Sequence, residues 1–189
     1  MRLITLSEDL LRLAQADAAR RTLRLQPIDL RALTSEALAL FRVRLEAKSM
    51  TVATAFDPNS GAVPGDPEKI AQVLANLIEN ALQYSPPGGT IRLTVEPHQG
   101  GCRVAVANTG EGVAPEDLPF LFERFFRAEK SRSREHGGVG IGLAIVKELV
   151  DAHSGRVGAE SAGGETRVWF TLPGEPDLYP IVTDPLSDR

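Results

Sequence analysis

Apolar residues recur every three or four positions in some stretches of the 189-residue chain and every second position in others, so helices and strands can be separated by period. In "RLITLSEDLLRLAQADAARR", Leu3, Leu6, Leu10 and Leu13 alternate spacings of three and four. That narrow seam suits packing on partner helices, although folding back onto its own domain would also bury it. "TLRLQPIDL" predicts a short strand with Leu23 and Leu25 on one face, ended by Pro27. Asp29 then caps a helix whose stripe is Leu30, Leu33, Ala37, Phe41 and Leu45. "MTVATAF" alternates like a strand, and "DPNSGAVPG" reads as loop. Asp66 and Pro67 form an N-cap and N1 pair for a helix reaching about Tyr84. "TIRLTVEP" and "CRVAVANTG" flank the turn-like "HQGG" as a hairpin. A long connection from about 113 to 137 holds Phe120, Phe122, Phe125, Phe126 and "RAEKSRSREHGG". A glycine cluster opens a helix from about Ile141 to His153, ended by Gly155, and "RVGAE" and "TRVWFTLP" supply two last strands.

This order predicts an α/β (α+β) two-layer sandwich, with a mixed, mainly antiparallel sheet, helices on one face and one preceding N-terminal helix. A Rossmann fold is excluded, because the glycines do not follow the first strand of a βαβ unit. Composition adds limits. The hydrophobic fraction of 42% supports an ordinary core, and the single cysteine, Cys102, rules out an internal disulfide and points to a reducing, cytoplasmic setting. No run is long and apolar enough for a transmembrane span, and Glu8 and Asp9 argue against a signal peptide. A net charge of −4 argues against nucleic acid as a partner. The acidic, proline-rich tail over 174–189 is expected to be disordered.

Three features carry candidate chemistry. On the helix after Pro67, Ile70, Val73, Leu74, Leu77, Ile78 and Ala81 share one face, while Asn76, Asn80 and Gln83 line its edge. Asparagine competes for backbone hydrogen bonds inside a helix, so two of them one turn apart suggest side chains aimed at a ligand. A neutral amide oxygen suits Mg²⁺, but bonding to loop backbone explains the pair as well. "NTGEG", residues 108–112, leaves a strand through two glycines, as a simple turn also would. In "HGGVGIGLAIVKELV", Gly138, Gly140 and Gly142 let backbone approach a ligand closely just before a helix whose free N–H groups favour phosphate.

Together, in this order, these segments resemble the ATP-binding catalytic domain of sensor histidine kinases, within the GHKL superfamily with its Bergerat fold. "NLIENALQYSPPGG" is similar to the N box, "NTGEG" to the first glycine box, "FERFF" to the F box and "GGVGIGLAIVK" to the second glycine box. The resemblance implies an ATP-binding domain over 22–173 that works with Mg²⁺. It implies that Asn80 ligates Mg²⁺ and Asn76 lies near the phosphates. Tyr84 would pack by the adenine, and Gly110 and Gly112 would line the base. Gly138, Gly140, Gly142 and Leu143 would border the phosphates, and Thr166 would lie near the adenine. The span between the boxes would be a lid fastened by its phenylalanines, with Arg132 or Arg134 reaching phosphate. Residues 1–21 resemble the second helix of a dimerisation and phosphotransfer hairpin, which implies a homodimer in the parent protein, a histidine-bearing helix upstream and a response regulator as partner.

Three departures qualify the resemblance. Asn108 stands where the family has an aspartate that accepts from the adenine amino group; its amide oxygen accepts without charge, so weaker but retained binding is expected. Gln83 replaces a frequent basic residue, making one phosphate contact neutral. None of His98, His136 and His153 lies in a motif like "HELRTP", so this chain is expected not to autophosphorylate alone. ATPase and serine-kinase relatives carry a glutamate base four residues before the metal-binding asparagine, and here that residue is Asn76, which has no useful basicity. Outside these motifs, His153 reads as completing a helix end, Trp169 and Cys102 as packing, and "KSRSR" as a solvated face without interleaved aromatics.

Overall fold

The computed structural model describes residues 23–127 and 140–174. The expected N-terminal helix and the tail from residue 175 lie outside them. In chain order the elements are β1 (Gln26–Ile28), α1 (Leu30–Leu40), α2 (Arg42–Ala47), β2 (Thr51–Phe56), β3 (Val63–Gly65), α3 (Pro67–Tyr84), β4 (Thr90–His98), β5 (Gly101–Thr109), a 3₁₀ turn (Leu118–Phe120), α4 (Gly142–Ala152), β6 (Arg156–Ala162) and β7 (Glu165–Leu172). The main sheet runs β2-β4-β5-β7-β6; β2 pairs parallel with β4 and every other pair is antiparallel. It is the mixed sheet that the alternation predicts.

Because cross-strand partners share a face, the register sorts the sheet into rows. One face carries Val95, Val104, Phe170 and Val157 in one row and Leu93, Val106, Val168 and Ala159 in the next. Apart from the partly buried Val157 and Ala159, these are buried, in one core with Ile70, Val73, Leu74, Leu77 and Ile78 of α3 and Ile145, Val146 and Leu149 of α4. The third row of this face is different: Ile91, Asn108, Thr166 and Ser161. Three polar side chains therefore end the apolar face, at one edge of the core.

Local chemistry sets the helix ends. Asp66 accepts from the N–H groups of Glu68 and Lys69 at 3.1 and 3.2 Å, as an N-cap should, and Pro67 occupies the first turn. Four sequence expectations are corrected. The first strand lies at Gln26–Ile28 with Pro27 inside it, opposite Pro64; both strands of this two-stranded sheet are edges, where a missing N–H is tolerated. The supposed loop "DPNSGAVPG" supplies its partner, β3. The helix expected through Leu45 breaks at Phe41, which keeps Phe41 and Leu45 buried and leaves Leu40 and Val43 outside. At the end of α4 it is Ser154, not Gly155, that takes the left-handed turn (φ 60°), while the Gly155 N–H closes onto the Val150 carbonyl at 2.9 Å.

Candidate functional site

Helices α3 and α4 run antiparallel and meet at two points. At one, the Asp66 N–H donates to His153 Nε2 at 3.0 Å, and His153 Nδ1 lies 2.7 Å from the Leu149 carbonyl. These partners fix a neutral imidazole that donates through Nδ1 and accepts through Nε2. At the other, a Cβ added to Gly142 would stand 3.8 Å from Asn76 Oδ1. Sequence separation hides this meeting of the asparagine helix with the glycine junction. Asn76 is half-buried, and its Nδ2 is buried without a hydrogen-bond partner. Beside it, α4 starts at Gly142 after Ile141, which offers no side-chain cap, so the first N–H groups of α4 carry the partial positive charge of a helix N-terminus. Asn80 and Gln83, half-buried, lie further along α3.

The polar row closes the other side. Asn108 is 5% exposed, and its Nδ2 donates to the Thr109 carbonyl at 3.2 Å. Ser161 Oγ lies 3.1 Å from Thr166 Oγ1 and accepts from the Val113 N–H at 2.9 Å. The Gly110 N–H donates to the Gly164 carbonyl at 2.9 Å, and a Cβ on Gly110 would come within 2.8 Å of the Tyr84 carbonyl. Only a glycine lets this turn reach the end of α3. Gly112 has φ 78° and faces Ser161 Oγ. Tyr84, Asn108, Gly110, Gly112 and Thr166 are thereby gathered at one end of the sheet. Ser161 joins them, though sequence reasoning passes over it. Its signal is the alternation Val157, Ala159, Ser161, readable only once β6 is known to extend beyond "RVGAE".

The connection between these two sides is anchored at its base. The Phe125 N–H donates to the Gly140 carbonyl at 2.9 Å, and Gly140, at φ 80°, passes so close that a Cβ would lie 2.6 Å from the Phe126 carbonyl. Arg124 pairs with Glu148 of α4. The expected fastening by phenylalanines holds for Phe122, which packs on the core with Leu121. It does not hold for Phe120, at the end of the 3₁₀ turn, or for Phe125, in a left-handed backbone position (φ 66°), which are 51% and 54% exposed; Phe120 lies against Phe126 with ring centroids 5.8 Å apart. Arg132, Arg134 and Gly138 lie outside the described residues. Leu143 is buried in the first turn of α4.

The remaining singled-out residues lie elsewhere. Cys102 is buried in the core, and burial pushes its thiol up. Trp169 lies on the sheet face opposite α3 and α4, under the Arg103 guanidinium at 4.8 Å. No helix among the described residues is long and apolar enough to cross a membrane.

Comparison with known proteins gives this geometry its relatives. Residues 65–176 match the family described as "Histidine kinase-, DNA gyrase B-, and HSP90-like ATPase". The Escherichia coli (strain K12) signal transduction histidine-protein kinase BaeS is 36% identical over 177 residues, covering 93% of this chain and 38% of BaeS. The catalytic domain of histidine kinase ThkA superposes with a TM-score of 0.71 at 26% identity, over 79% of this chain and 95% of that one. Full-length ShkA, solved with AMPPNP, gives a TM-score of 0.77 at 32% identity, over 91% of this chain and 36% of ShkA. The chain thus spans about two fifths of the length of the curated relatives it matches. Since the family match covers more than half of the chain, the affiliation is plain: it belongs to the histidine kinase-, DNA gyrase B- and HSP90-like ATPases, and its relatives are sensor histidine kinases whose catalytic domains it resembles.

Proposed function

We propose that the chain holds Mg²⁺-ATP between the α3–α4 junction and the polar row, and that a longer protein uses it to move the γ-phosphoryl group to a histidine on another helix. The observation that carries this reading is Asn76 beside the start of α4. A buried amide nitrogen without a partner and an uncapped helix N-terminus are both donors suited to phosphate oxygens.

The other roles follow the family pattern on residues of this chain. Asn80 offers its amide oxygen to Mg²⁺, and Gln83 makes a neutral phosphate contact. Tyr84, Asn108, Gly110, Gly112 and Thr166 surround the adenine. Gly138, Gly140, Gly142 and Leu143 border the phosphates, and Arg132 or Arg134 reaches them from the lid. The donor set fits a cation shared with the ligand: among the described residues no group of three or more His, Cys, Asp or Glu could cage a metal. When bound, Mg²⁺ neutralises charge on the phosphates. The chain's own part is to orient the triphosphate and hold donors at its oxygens. His98 stands at the opposite end of β4 from the polar row, and His153 has both ring nitrogens engaged, so neither supplies the acceptor. The acceptor histidine, dimerisation through residues 1–21 and a response regulator partner belong to the parent protein in this reading.

Calorimetric titration of ADP and a non-hydrolysable ATP analogue, with and without Mg²⁺, tests it. The wild type is expected to bind with metal dependence, and Asn80→Ala to weaken the metal-dependent part by about tenfold or more. A wild type that binds neither nucleotide would refute the proposal.

A further inference from the structure

The polar row that ends the inner face of the sheet carries no charge. Asn108, Thr166 and Ser161 sit side by side on β5, β7 and β6, and each can either donate or accept a hydrogen bond. An amide reverses its polarity by rotating half a turn, and a hydroxyl by turning its proton. Asn108 is the most buried of the three. It is 5% exposed, and its nitrogen is held on the Thr109 carbonyl at 3.2 Å. This orientation presents the oxygen to a ligand and favours a donor there, such as a purine 6-amino group. The opposite orientation gives up that hydrogen bond and turns Oδ1 toward the Thr109 carbonyl, but it breaks no ion pair.

Resting on the nucleotide reading above, we infer that Asn108 makes this a permissive purine site, which takes 6-oxopurine nucleotides as well as adenine nucleotides. Hypoxanthine differs from adenine by exchanging polarity at two adjacent positions: the 6-amino donor becomes a carbonyl, and the N1 acceptor becomes an N–H. A rotated amide exchanges its own donor and acceptor in the same sense. A carboxylate at position 108 has acceptors only and repels the 6-carbonyl. Asn108 is in this sense a specificity-determining residue.

The test is calorimetric titration of the full chain with ADP and with IDP in the presence of Mg²⁺, repeated on Asn108→Asp. Giving up that buried hydrogen bond and facing two oxygens corresponds to a preference of about ten- to a hundredfold, so the wild type is expected to bind IDP within about a hundredfold of ADP. In Asn108→Asp the ratio of IDP to ADP affinity is expected to fall by about a further hundredfold. ADP binding by wild type with IDP rejected by more than about a hundredfold overturns the inference and leaves the nucleotide reading standing. Binding of neither nucleotide to the wild type removes both. If Asn108→Asp does not fold, the wild-type ratio alone decides.

Discussion

Asp66 shows how much one side chain can hold in this fold. It caps α3 through Glu68 and Lys69, and it also accepts from the Arg24 N–H at 3.1 Å. Burial alone would raise its carboxyl, but the three backbone donors outweigh burial and hold it below the ordinary carboxylate range. A depressed folded value means stability that is present above the unfolded pKa of about 3.9 and lost as pH falls through the folded value. Asp66→Ala is therefore expected to cost about 1–2 kcal/mol at neutral pH. In urea unfolding followed from pH 7 downward, the gap between wild type and variant should narrow below about pH 4; a gap independent of pH would contradict the assignment. At this scale the sequence was informative, since the Asp-Pro pair identifies the cap. It could not show Arg24 as a third donor, because that contact spans 42 positions.

At the scale of elements, the two contacts between α3 and α4 divide the labour. Asn76 and Gly142 meet at the site end, and Asp66 and His153 meet at the other. Both His153 ring nitrogens are engaged in a buried place, so His153→Leu leaves the Asp66 N–H and the Leu149 carbonyl without the imidazole. The expected loss is about 1–3 kcal/mol, read as a lower urea midpoint with unchanged slope. A midpoint equal to wild type would show that the bridge is dispensable. The sequence reading assigned His153 to the helix end, and the structure agrees: its Nδ1–H donates to the Leu149 carbonyl there, while Nε2 reaches across to the other helix, a bridge that local sequence does not show. Gly155 was misassigned for a related reason. Sequence alone does not distinguish a glycine required by backbone angle from one required by space, and a Cβ on Gly155 would lie 2.8 Å from Val150 Cγ1.

Across the whole molecule, the two faces of the sheet separate binding from stability. The inner face carries the core and ends in the polar row. Among the described residues no helix covers the outer face, yet Ala105 and Ala107 on it are 1% and 5% exposed. They sit in rows with Trp169 and with Arg92 and Arg167, whose long side chains cover the small ones. Trp169 packs on Gly158, where any Cβ would collide with the ring. Trp169→Ala is expected to cost about 3 kcal/mol or more, measured by urea unfolding. ADP affinity should stay within about twofold, because the ring and the nucleotide row lie on opposite faces. A loss of nucleotide affinity matching the loss of stability would argue against that separation.

Local signals in the chain identify the mixed sheet, the motif order and most elements, because periods of two and 3.6 and the cap and glycine signals are local, whereas β3 and the break at Phe41 carry no such signal. From that order came the family and most of the candidate site residues. Only the tertiary structure decided which residues meet. It set Asn76 against Gly142, placed Ser161 in the row with Asn108 and Thr166, and turned Phe120 and Phe125 outward. Such contacts depend on strand register and helix packing, which join residues far apart in the chain and leave no periodic trace in it.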